Sequence, residues 1–365
     1  MALETLDSVD WAGLNHAYGS AADVPALICA LASSDKKTRD EAYYELHGNI
    51  WHQGTVYEAT PHAVPFLLEL LAEDRTEDKP SLLLLLASLA NGKSYLEVHG
   101  PLRLFDGKRD TPEFQRKLAV EKEWVRSTWE AVLRGIPLFV NHLSHSDPDV
   151  RACTAHLLGQ CQDDVAPQLA HHLNVEADSR VVASIILALN DLGQGDPTTV
   201  FRYLDHADFG VRFAAAVFAA KDASSAIPRK AIDILVDVVI DYHLLDPYES
   251  LPYAAFNPLT AVAGDTLAAL GPEGAGFIAP RLMELLPAIP DYVEEAVKAL
   301  LGITFTRTQM PVLRENLTEA QRAVLNLLVT TPSVWHFSFQ YIRANQLEKY
   351  GLPKNQTDLR CFLEG

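Results

Sequence analysis

Near the amino terminus, His47, His52, Gln53, Tyr57 and Glu58 place imidazoles, a phenol and a carboxylate between two apolar stretches, and Gly48 and Gly54 permit tight turns among them. Glu58 and His52 have the chemistry of a general acid and base. The same groups suit a polar network that satisfies the backbone of a long turn. That structural use is the expectation for His52, Gln53, Tyr57 and Glu58, and no catalytic residue is assigned anywhere in the chain. Thirteen histidines raise the question of a metal. The densest groups are His142/His145 and His171/His172, with His142 and His172 each preceding the last leucine of an apolar stretch. Neighbouring helices lie about 8–10 Å apart, whereas imidazoles sharing zinc need bonds of about 2 Å. No Cys, Asp or Glu is placed to complete the set, so neither metal nor cofactor is expected.

Other signatures of chemistry are missing. Asp208-Phe209-Gly210 spells the metal-binding triplet of kinases, but no glycine-rich loop or catalytic-loop motif accompanies it. There is no GxxxxGK[ST], GxSxG or HExxH. Cys29, Cys153, Cys161 and Cys361 contain no CxxC and are too few for a disulfide framework, so reduced thiols are expected.

Composition narrows the partners. Across 365 residues, 48% hydrophobic against 21% charged side chains indicates a soluble globular protein, and 30 Lys+Arg against 48 Asp+Glu give a formal charge of −18. Such a surface repels a phosphate backbone, which excludes nucleic acid as an expected partner. The first residues lack a basic and an apolar signal region, and the apolar run from Ser81 to Ala90 is too short to span a bilayer. A cytoplasmic chain without membrane contact is expected, and the sequons at Asn316 and Asn355 are then chance matches.

Repeats decide the fold class. Pro137, Pro167, Pro197 and Pro228 follow one another at spacings of 30, 30 and 31 residues, and Pro280 to Pro311 adds another 31. Each proline can open a helix, where its missing N–H costs nothing. After the first three come apolar stretches ending at Leu143, Leu173 and Leu204, a polar turn, and a second stretch opening at Val150, Arg180 or Val211. An acid followed four residues later by arginine recurs in these turns: Asp35–Arg39, Asp147–Arg151, Glu176–Arg180 and Asp208–Arg212. Each guanidinium can reach the acid of a neighbouring unit, building a structural ladder. The pattern predicts an all-α chain, a right-handed α-solenoid of stacked helix pairs over 1–365. It comprises an amino-terminal cap and first repeats (1–91), a loop and long helix (92–135), repeats over 136–330 with an insertion at 241–258, and a carboxyl cap (331–365).

Proline-headed pairs with this acid–arginine signature resemble bacterial HEAT repeats, the short kind of the bilin-lyase-type group with its armadillo-like superhelix. The block from Asn49 to Thr60, together with His16-Ala17-Tyr18-Gly19-Ser20-Ala21, is similar to the amino-terminal signature of a group of uncharacterised bacterial HEAT proteins. The resemblance implies a scaffold, inhibitor or adaptor more readily than an enzyme. Di-iron hydroxylases on this fold use His-Glu pairs, and this chain contains no His-Glu dipeptide. In such solenoids the second helices line the concave face. Counting five residues beyond the arginines puts His156, Ile185 and Val217 in one row, either an apolar binding groove or the packing between repeats.

The repeat lapses twice. Residues 92–110 form a polar stretch too long for an ordinary connection, followed by a helix from Thr111 to Gly135 with Trp124, Thr128, Ala131 and Val132 on one face. Asp241 to Pro258 carries Tyr242, Tyr248, Tyr253 and Phe256 on a proline-stiffened segment, either a contact surface or a plug folded over adjacent helices. The expected function is a non-enzymatic binding protein for a basic protein partner, with His156, Ile185, Val217, Tyr248 and Tyr253 at the interface. Two alternatives are a bilin-lyase-like or other small-ligand-handling enzyme and a HEAT-type DNA glycosylase. The second is disfavoured by 2 basic against 8 acidic residues over 136–200.

Overall fold

The computed structural model describes residues 3–100, 105, 107–162, 164–222, 226–255, 258–289, 293–305, 312–336 and 340–365. Part of the 92–110 stretch, Phe256, Pro311 and the 337–339 part of the carboxyl aromatic segment lie outside them, as do the side chains of 242, 273–275, 277 and 340–343. The protein is all-α apart from two short hairpins. It divides into two compact units, Met1–Leu192 and Gly193–Gly365.

The first unit opens on Trp11, whose buried indole donates from Nε1 to the Leu6 carbonyl at 2.9 Å and packs on Phe66. Hairpin β1 (Asn15–His16) and β2 (Gly19–Ser20) precedes α1 (Val24–Ala30) and α2 (Lys36–Asn49). Hairpin β3 (Trp51–His52) and β4 (Thr55–Val56) precedes α3 (Thr60–Ala72) and α4 (Lys79–Ala90). Then come α5 (Tyr95–His99), α6 (Pro112–Leu133), α7 (Ile136–His142), α8 (Pro148–Gln160), α9 (Ala166–Leu173) and α10 (Ser179–Asp191). Proline occupies the first or second position of α1, α3, α7 and α9, where a fixed φ nucleates a helix and no donor is wasted. The second helices α2, α4, α8 and α10 pack in series, and α6 lies on α3 and α4. Thr111 caps α6, which buries Thr128, Ala131 and Val132 as its sequence pattern predicts. The 92–110 stretch is less loop-like than expected. The Lys93 N–H donates to the Gly54 carbonyl and the Lys93 carbonyl accepts from Val56, while Ser94 caps α5.

The second unit contains α11 (Pro197–Phe201), α12 (Phe209–Lys221), α13 (Arg229–Ile240), α14 (Leu259–Ala269), α15 (Gly271–Leu285), α16 (Glu294–Thr304), α17 (Glu319–Thr330), α18 (Gln340–Glu348) and α19 (Gln356–Glu364). Here the proline rule weakens. Pro197 opens α11, but Pro228 sits at the cap of α13 and Pro280 lies inside α15, so Pro280 does not mark a helix start. The helix begins instead at Gly271-Pro272, which satisfies the same preference for proline near a first turn. Thr318 and Gln321 form the expected capping box of α17.

Candidate functional site

The two hairpins share one register and differ at their tips. Their registers pair Asn15 with Ser20 and His16 with Gly19, and Trp51 with Val56 and His52 with Thr55, so each closes over a two-residue tip. At the second tip Gln53 and Gly54 both take positive φ, 49° and 90°, the combination that matches the right-handed twist of paired strands. The hairpins are stitched together: the Ala17 N–H donates to the Asn49 carbonyl and the Ala59 N–H to the Asn15 carbonyl, both at 3.0 Å.

On this frame stands Tyr18, whose side chain is 72% exposed. Its N–H donates to His16 Nδ1 at 3.0 Å, and its hydroxyl lies 3.3 Å from His52 Nδ1. Both imidazoles stand steeply to its ring, with centroids 6.4 and 5.4 Å away. The opposite nitrogen of His16, Nε2, meets Asp23 Oδ1 at 3.0 Å, and Asn49 Nδ2 donates to the other oxygen of Asp23. Glu58 Oε2 accepts from both the N–H and the Nδ2 of Asn15, at 3.2 and 3.0 Å. Tyr57 shares a 2.8 Å hydrogen bond with Thr55, and burial raises its phenol above its ordinary range. The polar turn network expected at His52, Gln53, Tyr57 and Glu58 is therefore a pair of hairpins in which Glu58 and His52 contact different partners, Asn15 and Tyr18. Nothing aligns them as an acid–base pair. Tyr18, Asn15 and Asp23 were not singled out as site residues; the recurrence of His16/His52 and Pro25/Pro61 at one common offset was the available signal.

The acid–arginine signature builds a turn rather than a simple pair. Asp35, Asp147 and Asp208 cap α2, α8 and α12 by accepting backbone N–H groups. The arginines turn back on the loop: Nη1 of Arg39, Arg151 and Arg212 donates to the carbonyls of Ser33, His145 and His206 at 2.8, 2.9 and 2.7 Å. Across the stack, Arg39 meets Glu77 at 2.9 Å, and Arg151 grips Glu176 with two bonds of 2.8 and 2.9 Å. The expected Glu176–Arg180 pair is not formed that way. Asp178 caps α10, Glu176 belongs to Arg151, and Arg180 meets Asp149 at 2.7 Å. Burial opposes the charge on Glu176, but the Arg151 guanidinium and two backbone N–H groups hold its carboxyl below the ordinary range.

The row expected to line a groove is interior. Ile185 and Val217 are fully buried and His156 is 7% exposed. Burial alone drives the His156 imidazole down to about 4. The reason is packing: α10 and α12 are apolar nearly all round and bury most of their length. The 241–258 insertion also folds back. Leu245 and Leu251 are buried, and Tyr248 covers Gly210, where an added Cβ would stand 2.5 Å from its ring. Tyr248 and Tyr253 are accordingly half-buried parts of the second unit rather than a free contact surface. The Asp208-Phe209-Gly210 triplet serves the same packing: a cap, a ring under Arg212 at 5.0 Å, and a seat for Tyr248.

His142 and His145 bond to nearby backbone, and the rings of His171 and His172 meet edge to face. His142 Nδ1 lies 2.9 Å from the Leu138 carbonyl, and His145 Nδ1 accepts from the Asp147 N–H. Among the described residues, no group of three or more His, Cys, Asp or Glu could hold a metal ion. A groove of about 470 Å³ in the second unit is lined by Pro272, Pro280, Met283, Ile303, Thr304 and Val324 among others, without an acid, histidine or cysteine among its described lining residues. No described helix is long and apolar enough to cross a membrane.

No family model and no curated protein matches this chain. Among solved structures, one of an engineered protein aligns at 18% identity over 94% of this chain and 98% of the other, with a TM-score of 0.32, too low for any inference.

Proposed function

We propose that this chain is a HEAT-type protein, its helix pairs the repeats of a right-handed α-solenoid, and that it acts in the cytoplasm as a non-enzymatic adaptor, inhibitor or immunity-type protein that captures a protein with a basic surface. One observation carries the reading: the formal charge of −18, with 48 Asp+Glu against 30 Lys+Arg, and with several of the cations sunk beside more exposed acids or on backbone carbonyls. Arg39 is 8% exposed while its partner Glu77 is 57% exposed. Lys298 is 12% exposed against 61% for Asp265. Lys79 is buried and spends its charge on the carbonyls of Leu71 and Glu73 at 2.6 and 2.7 Å. A net charge of −18 makes the field outside negative, which speeds and selects encounter with a basic partner.

The test is affinity capture from native cytoplasm, followed by association kinetics with the captured protein between about 50 and 500 mM salt. A basic protein whose on-rate falls steeply with salt supports the reading. A rate indifferent to salt, or recovery of a coloured small-molecule adduct in place of a protein, overturns it.

A further inference from the structure

We propose that the paired hairpins of the first unit are the docking face for an arginine side chain of that basic partner, with Tyr18 as its platform; this rests on the acidic-capture reading and adds the place and chemistry of the contact. An exposed tyrosine ordinarily loses rotamer freedom when a partner orders it. The Tyr18 hydroxyl is already met by His52, both imidazoles lie edgewise to its ring, and His16 fixes its backbone N–H, yet 72% of it faces solvent. Rigid, exposed aromatics of this kind concentrate binding energy.

Two carboxylates bonded to the same hairpins, Asp23 through His16 and Glu58 through Asn15, favour a cation. Asp23 takes its hydrogen bonds from His16 and Asn49, and Glu58 from Asn15, so these contacts come from imidazole and amide donors rather than from lysine or arginine. Residues 1–100 carry 6 basic against 15 acidic side chains. A guanidinium stacks on a phenol ring and presents a planar fork to a carboxylate, whereas an ammonium is a strongly hydrated point charge. Tyr44 supplies an internal control. It is 79% exposed on α2, and no hairpin contact holds it.

The experiment measures binding of a short arginine-rich peptide, and of a lysine peptide of equal charge, to the full chain and its variants at about 0.15 M salt. Tyr18→Ala should weaken the arginine peptide about two- to fivefold, the range of an exposed cation–π contact, with its salt slope unchanged. Tyr44→Ala should bind as the parent does, and His52→Ala, which releases the ring, should fall between them. Equal affinity of Tyr18→Ala and the parent, or equal losses in Tyr18→Ala and Tyr44→Ala, overturns the docking face while leaving acidic capture intact. A lysine peptide bound as tightly as the arginine peptide overturns the assignment to arginine. Failure of the parent chain to bind either peptide even at low salt overturns acidic capture itself, and the docking face with it.

Discussion

His156 and His52 carry the same ring in the same unit, and the fold uses them in opposite ways. His156 lies on α8 among apolar side chains and is kept neutral by burial, down to about 4. His52 sits on a hairpin, half-exposed, and spends its Nδ1 on positioning Tyr18. Helices α4, α8, α10 and α12 bury most of their length, whereas α2 keeps one face open that includes Tyr44. The hairpin tip, by contrast, displays Tyr18, which is 72% exposed. Apolar character in α10 and α12 therefore marks packing, and the exposed aromatic chemistry of the first unit stands on the hairpin tip and on helix surfaces.

The sharpest way to break that comparison is to charge the interior row. Ile185→Glu places a carboxylate where the parent side chain has no solvent contact, on a helix that buries most of its length. A buried uncompensated charge costs about 3–5 kcal/mol, so this variant should lose most of its cooperative unfolding transition by circular dichroism. A variant that stays folded with its midpoint unmoved would mean that the row is an open groove after all.

A smaller effect follows from His156 and appears as a pH dependence. The unfolded chain takes up its proton near 6.5, the folded chain only near 4. Between those values the unfolded state binds more protons, so the contribution of His156 is full above 6.5 and declines as pH falls toward 4. At 1.36 kcal/mol per pKa unit the loss is about 3 kcal/mol. Burial lowers His47, His142 and His172 as well, so the informative quantity is the difference between the parent and His156→Leu in denaturant midpoints over that window. Parallel pH profiles for the two proteins would place His156 in contact with water.

The helix pairs are legible because two local rules coincide: proline near the first turn of α7, α9 and α11, and aspartate at the caps of α2, α8 and α12. Arginine was legible as a ladder but not in its geometry. The sequence reads Glu176–Arg180 as one pair, whereas Asp178 takes the cap and frees Glu176 for Arg151. The hairpins stayed hidden because two-residue strands carry no alternation to read, and their pairing depends on the contacts between Asn15 and Ala59 and between Ala17 and Asn49, far apart in sequence. Tyr18 and its histidines acquire meaning only once those contacts bring Tyr18 beside His52.

At the turns the expected effects are intermediate. Arg151→Ala removes two bonds to Glu176 and two to the carbonyls of His145 and Ser146, and should cost about 2–3 kcal/mol, since bonds to charged groups are worth more than neutral ones. The same variant should lose part of the acid sensitivity of the parent. Glu176 has its folded pKa depressed, so the stability it confers is present above its ordinary value and lost as pH falls through the lower folded one. An unmoved denaturant midpoint in Arg151→Ala would show that the ladder carries no stability and that the turn is held by its aspartate cap alone.

The smallest effect belongs to the hairpin tip, and it links stability to the docking face. Gln53 adopts φ of 49° ahead of Gly54 at 90°, a left-handed conformation that costs an ordinary side chain about 1–2 kcal/mol and asparagine less. Gln53→Asn writes Asn-Gly, the favoured pair for such a two-residue turn, and should raise stability by a few tenths to about 1 kcal/mol, read as a small upward shift in Tm. Glycine at this position would be a poorer probe, because it also loosens the unfolded chain. If the hairpin must be rigid to hold His52 against Tyr18, the substitution should leave arginine-peptide affinity equal to or slightly above that of the parent. A lowered Tm would mean that the Gln53 side chain contributes more at the tip than its backbone strain costs.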